Sequence, residues 1–372
     1  MNQLVCTRCR AAYALNEPIW RCPQCGSLLD LQFTPVIDLI KIHGRPHNLW
    51  RYREAIPIEQ DQAIVTFDEG FTPLLEVRFG GRPVWVKQDH LFPTGSYKDR
   101  GATVLISKMN ELGIRRCVED SSGNAGCAVA AYCARAGIAC DIYVPHDTAQ
   151  AKLAQIQLYG ARLVRVPGSR EDTAAAVMEA AQDQYYASHS WNPFFFQGTK
   201  TFAYEVCEQL GWRAPDVVIL PAGNGTLLLG AQIGFAELRQ AGIIRQEPRL
   251  VAVQSENCAP LALAWAQNLA DPPAIHKKDT LAEGIAIATP IRGRQIVDAV
   301  RQSGGEFITV SDGEVKASLR ALCAQGYYIE PTSAAAAAGI EIYLAAHSRD
   351  ELVVSAFTGS GLKATEKMLA LL

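Results

Sequence analysis

Residues 217–226 read Val217-Val218-Ile219-Leu220-Pro221-Ala222-Gly223-Asn224-Gly225-Thr226. The first four form a short run dominated by β-branched residues, the pattern of a strand. The glycines that follow let backbone N–H groups gather around an anion, and a helix beginning there adds its dipole. A strand that passes through a glycine-rich turn into a helix is the building unit of an α/β protein with mostly parallel sheets.

Outward from this stretch the same alternation recurs. Val84–Val86, Cys140–Val144, Arg162–Val166, Leu250–Val253, Phe307–Val310 and Leu352–Val354 read as further strands. Ala102, Leu105, Ile106, Met109 and Leu112 fall at helical spacing, with Gly113 as a stop. Ser311 and Glu314 have the spacing of a capping box, and the alanine run 334–338 suits a tightly packed helix. In such folds ligands bind beyond the carboxyl ends of the strands, so the loops after the strands are the places to search.

Three more loops carry chemistry. Pro93-Thr94-Gly95-Ser96-Tyr97-Lys98-Asp99-Arg100-Gly101 puts a lysine in a Gly/Ser turn before a helix, as a phosphate ligand or an imine-forming amine. Ser121-Ser122-Gly123-Asn124-Ala125-Gly126 offers hydroxyls, an amide and N–H groups at a helix start, a good carboxylate site. Phe357-Thr358-Gly359-Ser360-Gly361-Leu362-Lys363 follows the last strand.

Cys6-x2-Cys9 and Cys22-x2-Cys25 place four of the eleven cysteines in the first 25 residues. Two such pairs supply four thiolates at tetrahedral spacing, which predicts a closed structural zinc site in a ribbon-like segment; a ribbon without metal is the alternative. The other seven cysteines are scattered and expected to be reduced. The 35 basic and 38 acidic residues nearly cancel, at a net charge of −3, and the ribbon carries only Arg8, Arg10 and Arg21. No nucleic-acid partner is expected. No apolar run approaches a membrane span and no signal-peptide pattern opens the chain, so a cytoplasmic location is expected.

Taken in order, these loops resemble the pyridoxal-phosphate enzymes of fold type II, the tryptophan-synthase β fold, and among them the threonine synthase family. Glu69-Gly70-Phe71-Thr72-Pro73-Leu74, Asn192-Pro193, Gly198-Thr199-Lys200-Thr201 and Glu330-Pro331-Thr332-Ser333-Ala334-Ala335 extend the resemblance over nearly the whole chain. It implies a ribbon over 1–30, an irregular lead over 31–70, a large cofactor-binding domain of 71–102 with 199–372, and a small substrate-side domain of 103–198. Lys98 would bind the cofactor covalently and shuttle protons. Asn124 would hydrogen-bond the cofactor ring's oxygen, and Thr358 would face its nitrogen. Gly223, Asn224, Gly225 and Thr226 would hold its phosphate. Ser121, Ser122 and Ala125 would grip the substrate carboxylate, with Ser96, Ser190 and Lys200 also on the substrate side. The implied reaction turns O-phospho-L-homoserine and water into L-threonine and phosphate, in a homodimer. Phe195 stands where the family pattern places an arginine for the substrate phosphate, and His189 where it has an asparagine. These departures keep a serine/threonine dehydratase or a cysteate-synthase-like enzyme as the alternative, and a non-catalytic cofactor-binding or ribbon interaction protein as a second.

Overall fold

The structure is a computed structural model in which residues 2–148, 150–168, 170–347 and 350–369 are described. The chain divides into two compact units, Met1–Gly70 with Lys98–Thr199, and Phe71–Tyr97 with Lys200–Leu372.

The second unit is built on a six-stranded sheet in the order Glu306–Val310, Arg249–Ser255, Val217–Pro221, Val353–Ala356, Arg82–Lys87, Leu74–Phe79. The first five run parallel, as the alternating pattern required, and Leu74–Phe79 pairs antiparallel at the edge. That edge strand escaped the sequence reading. Its signal was the pair Gly80-Gly81, both at positive φ (56° and 83°), which closes a two-residue hairpin onto Arg82. The alanine run lies in the helix Pro331–Ala346, where Ala334–Ala338 are at most 1% exposed. Small side chains bring that helix onto the sheet: a Cβ on Gly339 would lie 2.4 Å from Val253 Cγ2. The Ser311–Glu314 capping box is formed at the head of the helix Asp312–Ala324. A fully buried ion pair, Lys87 Nζ to Glu205 at 2.7 Å, is completed by Gln209 Oε1 at 2.9 Å and the Thr72 carbonyl. Such a pair persists in an apolar interior because its remaining protons also find acceptors.

The first unit holds a four-stranded parallel sheet in the order Arg162–Val166, Ala139–Pro145, Arg116–Glu119, Tyr185–Tyr186. The helix Lys98–Glu111 belongs whole to this unit and packs on the helix Pro193–Thr199. Two glycines permit the close approach: a Cβ on Gly198 would sit 1.8 Å from the Arg100 carbonyl oxygen, and one on Gly101 would sit 2.3 Å from the Phe195 ring. The lead packs here too, through Leu49, Trp50, Ile56 and Ile58 against Val104, with Trp50 Nε1 donating to Thr103 Oγ1 at 3.2 Å.

Residues 3–32 form a three-stranded antiparallel ribbon, Ala12–Tyr13, Gln3–Cys6, Leu29–Gln32. It has no separate core. Leu4, Leu15, Trp20 and Leu29 join the same apolar cluster as Tyr185, Phe194 and Phe195. Trp20 meets Tyr186 and Trp191 edge-on at 5.1 and 5.5 Å, and its indole N–H donates to the Ala181 carbonyl at 3.4 Å.

Candidate active site

In the second unit the loop after Val217–Pro221 leads into the fifteen-residue helix Thr226–Gln240, capped by Gly225 in the left-handed conformation (φ 64°). The first N–H groups of a helix have no intrahelical acceptor, so this turn is an anion site by construction. A side chain is excluded at two of its positions. A Cβ on Gly223 would lie 2.9 Å from Ile285 Cα, and one on Gly225 would lie 2.4 Å from Ile296 Cδ1.

Tyr97 ties this loop to the last one. Its hydroxyl is 2.8 Å from Thr226 Oγ1, and its N–H donates to the Thr358 carbonyl at 2.9 Å. Ser333 fixes the Thr358 loop from below. Its hydroxyl oxygen accepts from the N–H groups of Thr358 and Gly359 at 2.8 and 3.2 Å and lies 2.9 Å from Thr358 Oγ1. Thr358 Oγ1 also donates to Glu330 Oε1 at 3.2 Å. Sequence reasoning singled out neither Tyr97 nor Ser333 as a site residue, though both lie inside stretches that it quoted. Ser96 pairs with Gly359 in an isolated bridge, and its Oγ is buried with no hydrogen-bond partner among the described residues. Lys200 is placed elsewhere: its fully buried ammonium pairs with Glu237 at 2.9 Å. Burial pulls its pKa below the usual lysine value, against the attraction of Glu237.

In the first unit Lys98 opens the helix Lys98–Glu111, one residue after Tyr97 in the chain. Its Nζ lies 5.8 Å from the centroid of the Phe195 ring. Phe194, Phe195 and Phe196 are all buried, so the aromatic run is core packing as well as a neighbour of the lysine. Ser121–Gly126 leads from the strand Arg116–Glu119 into the helix Asn124–Ala136. Gly126 lets the turn close, since a Cβ there would meet the Ser121 carbonyl oxygen at 1.8 Å. Ser190 Oγ lies 3.3 Å from Ser188 Oγ, and both are buried. Asp120 is held by Arg170 at 2.7 Å and by the Tyr186 hydroxyl at 2.6 Å. Two arginines of the lead are engaged within it: Arg51 donates to the Ile42 carbonyl and Arg53 to Asp61.

In the ribbon the four thiols converge. Cys6 Sγ is 3.4 Å from Cys25 Sγ, Cys9 Sγ is 3.6 Å from Cys22 Sγ, and all four lie within 4.8 Å of one another. Four thiolates around a tetrahedral zinc, with bonds of ~2.3 Å, stand about 3.8 Å apart. The N–H groups of Arg8 and Cys9 both point at Cys6 Sγ at 3.4 Å.

The parallel sheets, the lysine at a helix head and the glycine cradle define a fold type II cofactor enzyme. Residues 65–359 match the family model described as pyridoxal-phosphate dependent enzyme, and the chain belongs to that family. Its curated relatives include the threonine synthase of Methanocaldococcus jannaschii, 35% identical over 96% of this chain and 92% of that protein. The threonine synthase of Methanosarcina acetivorans is 34% identical over 98% of this chain and 92% of that protein. Among solved structures, threonine deaminase isoform 2 of Solanum lycopersicum superposes with a TM-score of 0.69 at 19% identity, covering 91% of this chain and 90% of that one. Serine racemase of Dictyostelium discoideum gives 0.66 at 23% identity, over 78% and 92%. At those identities the likeness is one of fold. No helix among the described residues is long and apolar enough to cross a membrane.

The residues present fit pyridoxal phosphate. A turn with no room for a Cβ at Gly223 or Gly225 heads a long helix for the phosphate, and a buried hydroxyl at Ser96 lacks a partner among the described residues. The amine that would bind the cofactor is two residues further along the chain.

Proposed function

We propose that this enzyme converts O-phospho-L-homoserine and water to L-threonine and phosphate. The observation that carries this reading is the extent of the likeness to threonine synthases, 35% identity over 96% of the chain. Bound pyridoxal phosphate supplies an aldehyde that takes the substrate amine and a ring that draws electrons from the α-carbon. The chain supplies the rest. Gly223, Asn224, Gly225 and Thr226 bind the cofactor's phosphate through N–H groups and the helix dipole. Ser121, Ser122 and Ala125 orient the substrate carboxylate at the start of the helix Asn124–Ala136, and the Asn124 amide orients the ring. Lys98 Nζ takes the α-proton and returns protons along the substrate. Thr358 presents a hydroxyl rather than a carboxylate to the ring nitrogen. It does not force protonation there, which moderates the electron sink and suits chemistry further along the side chain. The ribbon's four cysteines hold one structural zinc ion.

A second reading, a serine/threonine dehydratase or a cysteate-synthase-like enzyme, is favoured by one observation. The apolar Phe195 ring, centred 5.8 Å from Lys98 Nζ, stands where the family pattern places a cation. Purified holoenzyme offered O-phosphohomoserine, threonine and serine separately distinguishes the two. Stoichiometric phosphate and threonine from the first substrate support the proposal. Keto acid and ammonia from threonine or serine, with O-phosphohomoserine inert, overturn it in favour of the dehydratase.

A further inference from the structure

The first unit contains a buried acid–imidazole pair to which the proposed chemistry gives no role. Glu119 ends the strand Arg116–Glu119, and the adjoining strand Tyr185–Tyr186 runs parallel to it with Val118 opposite Tyr186. Both chains leave the sheet at the same carboxyl edge, which brings Glu119 Oε1 to 2.9 Å from His189 Nδ1. Glu119 is wholly buried, and its second oxygen, Oε2, has no hydrogen-bond partner among the described residues. The next residue has the opposite setting, because Asp120 is paired with Arg170 and accepts from Tyr186. Two consecutive carboxyl groups are thus treated differently: Asp120 meets a cation, and Glu119 meets an imidazole and keeps one oxygen bare.

An ionised carboxylate with a bare oxygen in such a place is costly, and taking up a proton removes the cost. Burial and the neighbouring Asp120 charge push the Glu119 carboxyl well above the usual range, against Arg170 and Lys98. Burial first, then Lys98 and Arg170, hold His189 well below the usual imidazole value. The other titratable groups that sense Glu119 are Tyr186 and the core thiols Cys117, Cys133 and Cys140, whose own pKa values are pushed up. Between a neutral acid and a neutral imidazole only one bond is available: the acid O–H donates to Nδ1, and the ring's single proton resides on Nε2. His189 and Lys98 Nζ share the Phe195 ring as a neighbour, at 6.1 and 5.8 Å, and the Lys98 charge acts on both members of the pair.

We propose that Glu119 is a positioning residue that, as an un-ionised acid, donates to His189 Nδ1 and fixes the imidazole as an Nε2–H donor beside Lys98. The ring is then held in one orientation without adding a charge next to the lysine. The bearing of the pair on catalysis rests on the proposed function; the tautomer itself does not.

The test uses the holoenzyme with 15N-labelled histidine, His189 being assigned by the signal missing in His189→Gln. The expected spectrum is the neutral Nε2–H tautomer, unchanged from about pH 8 to about pH 5, through the ordinary histidine pKa of about 6.5. An imidazolium signal or the Nδ1–H tautomer overturns the proposal. In Glu119→Gln an amide N–H replaces the acid O–H, so the tautomer persists. Glu119→Ala gives a tautomer mixture and at least a tenfold lower kcat/KM, which Glu119→Gln largely restores. A Gln variant as impaired as the Ala variant, with the visible band of bound cofactor intact, also overturns it. Absence of turnover with O-phosphohomoserine would count against the proposed reaction and leave the spectrum readable.

Discussion

Gly225→Ala tests the phosphate cradle most directly. Gly225 caps the helix Thr226–Gln240 at φ 64°, and its missing Cβ would otherwise fall 2.4 Å from Ile296 Cδ1. An alanine held in the left-handed region costs roughly 1–2 kcal/mol. The loop escapes that cost by swinging φ negative, which turns the N–H groups at the helix head away from the anion. Cofactor binding must then restore the strained form, so the dissociation constant rises by the same 1–2 kcal/mol, roughly 5- to 30-fold. The assay is titration of cofactor-free protein with pyridoxal phosphate, followed by absorbance. Gly242→Ala is the control. Gly242, just beyond the other end of the same helix, has φ 71° with nothing within 4 Å of its would-be Cβ. It should lower the melting temperature and leave cofactor affinity alone. Wild-type affinity in Gly225→Ala, or equal weakening in Gly242→Ala, would refute the assignment of the phosphate to this turn.

Phe195→Arg puts a guanidinium in place of a ring centred 5.8 Å from Lys98 Nζ. At an effective dielectric constant of about 20, two like charges about 6 Å apart repel by about 3 kcal/mol, so the pH at which the cofactor's visible band titrates should drop by about 2 pH units. An unchanged titration would mean that the new side chain turns away. Cys25→Ser removes one of four converging thiols; the variant should lose bound zinc, measured by metal analysis, and melt several degrees lower, at about 2–4 °C per kcal/mol for a domain of this size. Wild-type protein purified without zinc would defeat that expectation. Arg45 grips Glu54 at 2.6 Å through both guanidinium nitrogens and lowers its carboxyl to about 2. A depressed folded-state pKa contributes stability above the unfolded value of about 4.3 that is lost as the pH falls toward 2. Acid unfolding of Glu54→Gln should therefore be less steep in that window than that of the wild type.

The parallel core was legible because its strands are short β-branched runs between helices, and Val217–Thr226 alone carries the whole strand–turn–helix unit. What escaped was set by partners distant in sequence. Leu74–Phe79 alternates weakly and becomes a strand by pairing with Arg82–Lys87. Lys200 sits in a motif that looks functional, yet its charge is answered by Glu237, 37 positions later. Glu119 was not singled out in the sequence, and its bare oxygen becomes visible only once the fold sets His189 beside it and Arg170 on Asp120. Local pattern announces elements and turns, whereas the electrostatic fate of a buried group depends on what the fold delivers to it.

The shared wall between the ribbon and the first unit's core has an evolutionary consequence. Because Trp20 is clasped by Tyr186 and Trp191, and Leu4, Leu15 and Leu29 complete the cluster around Phe194, the ribbon is not an ornament that a lineage could discard by mutating its thiols one at a time. A descendant without the ribbon would leave the apolar wall around Tyr186, Trp191 and Phe194 open to water, so shedding the segment calls for repacking of that wall as well.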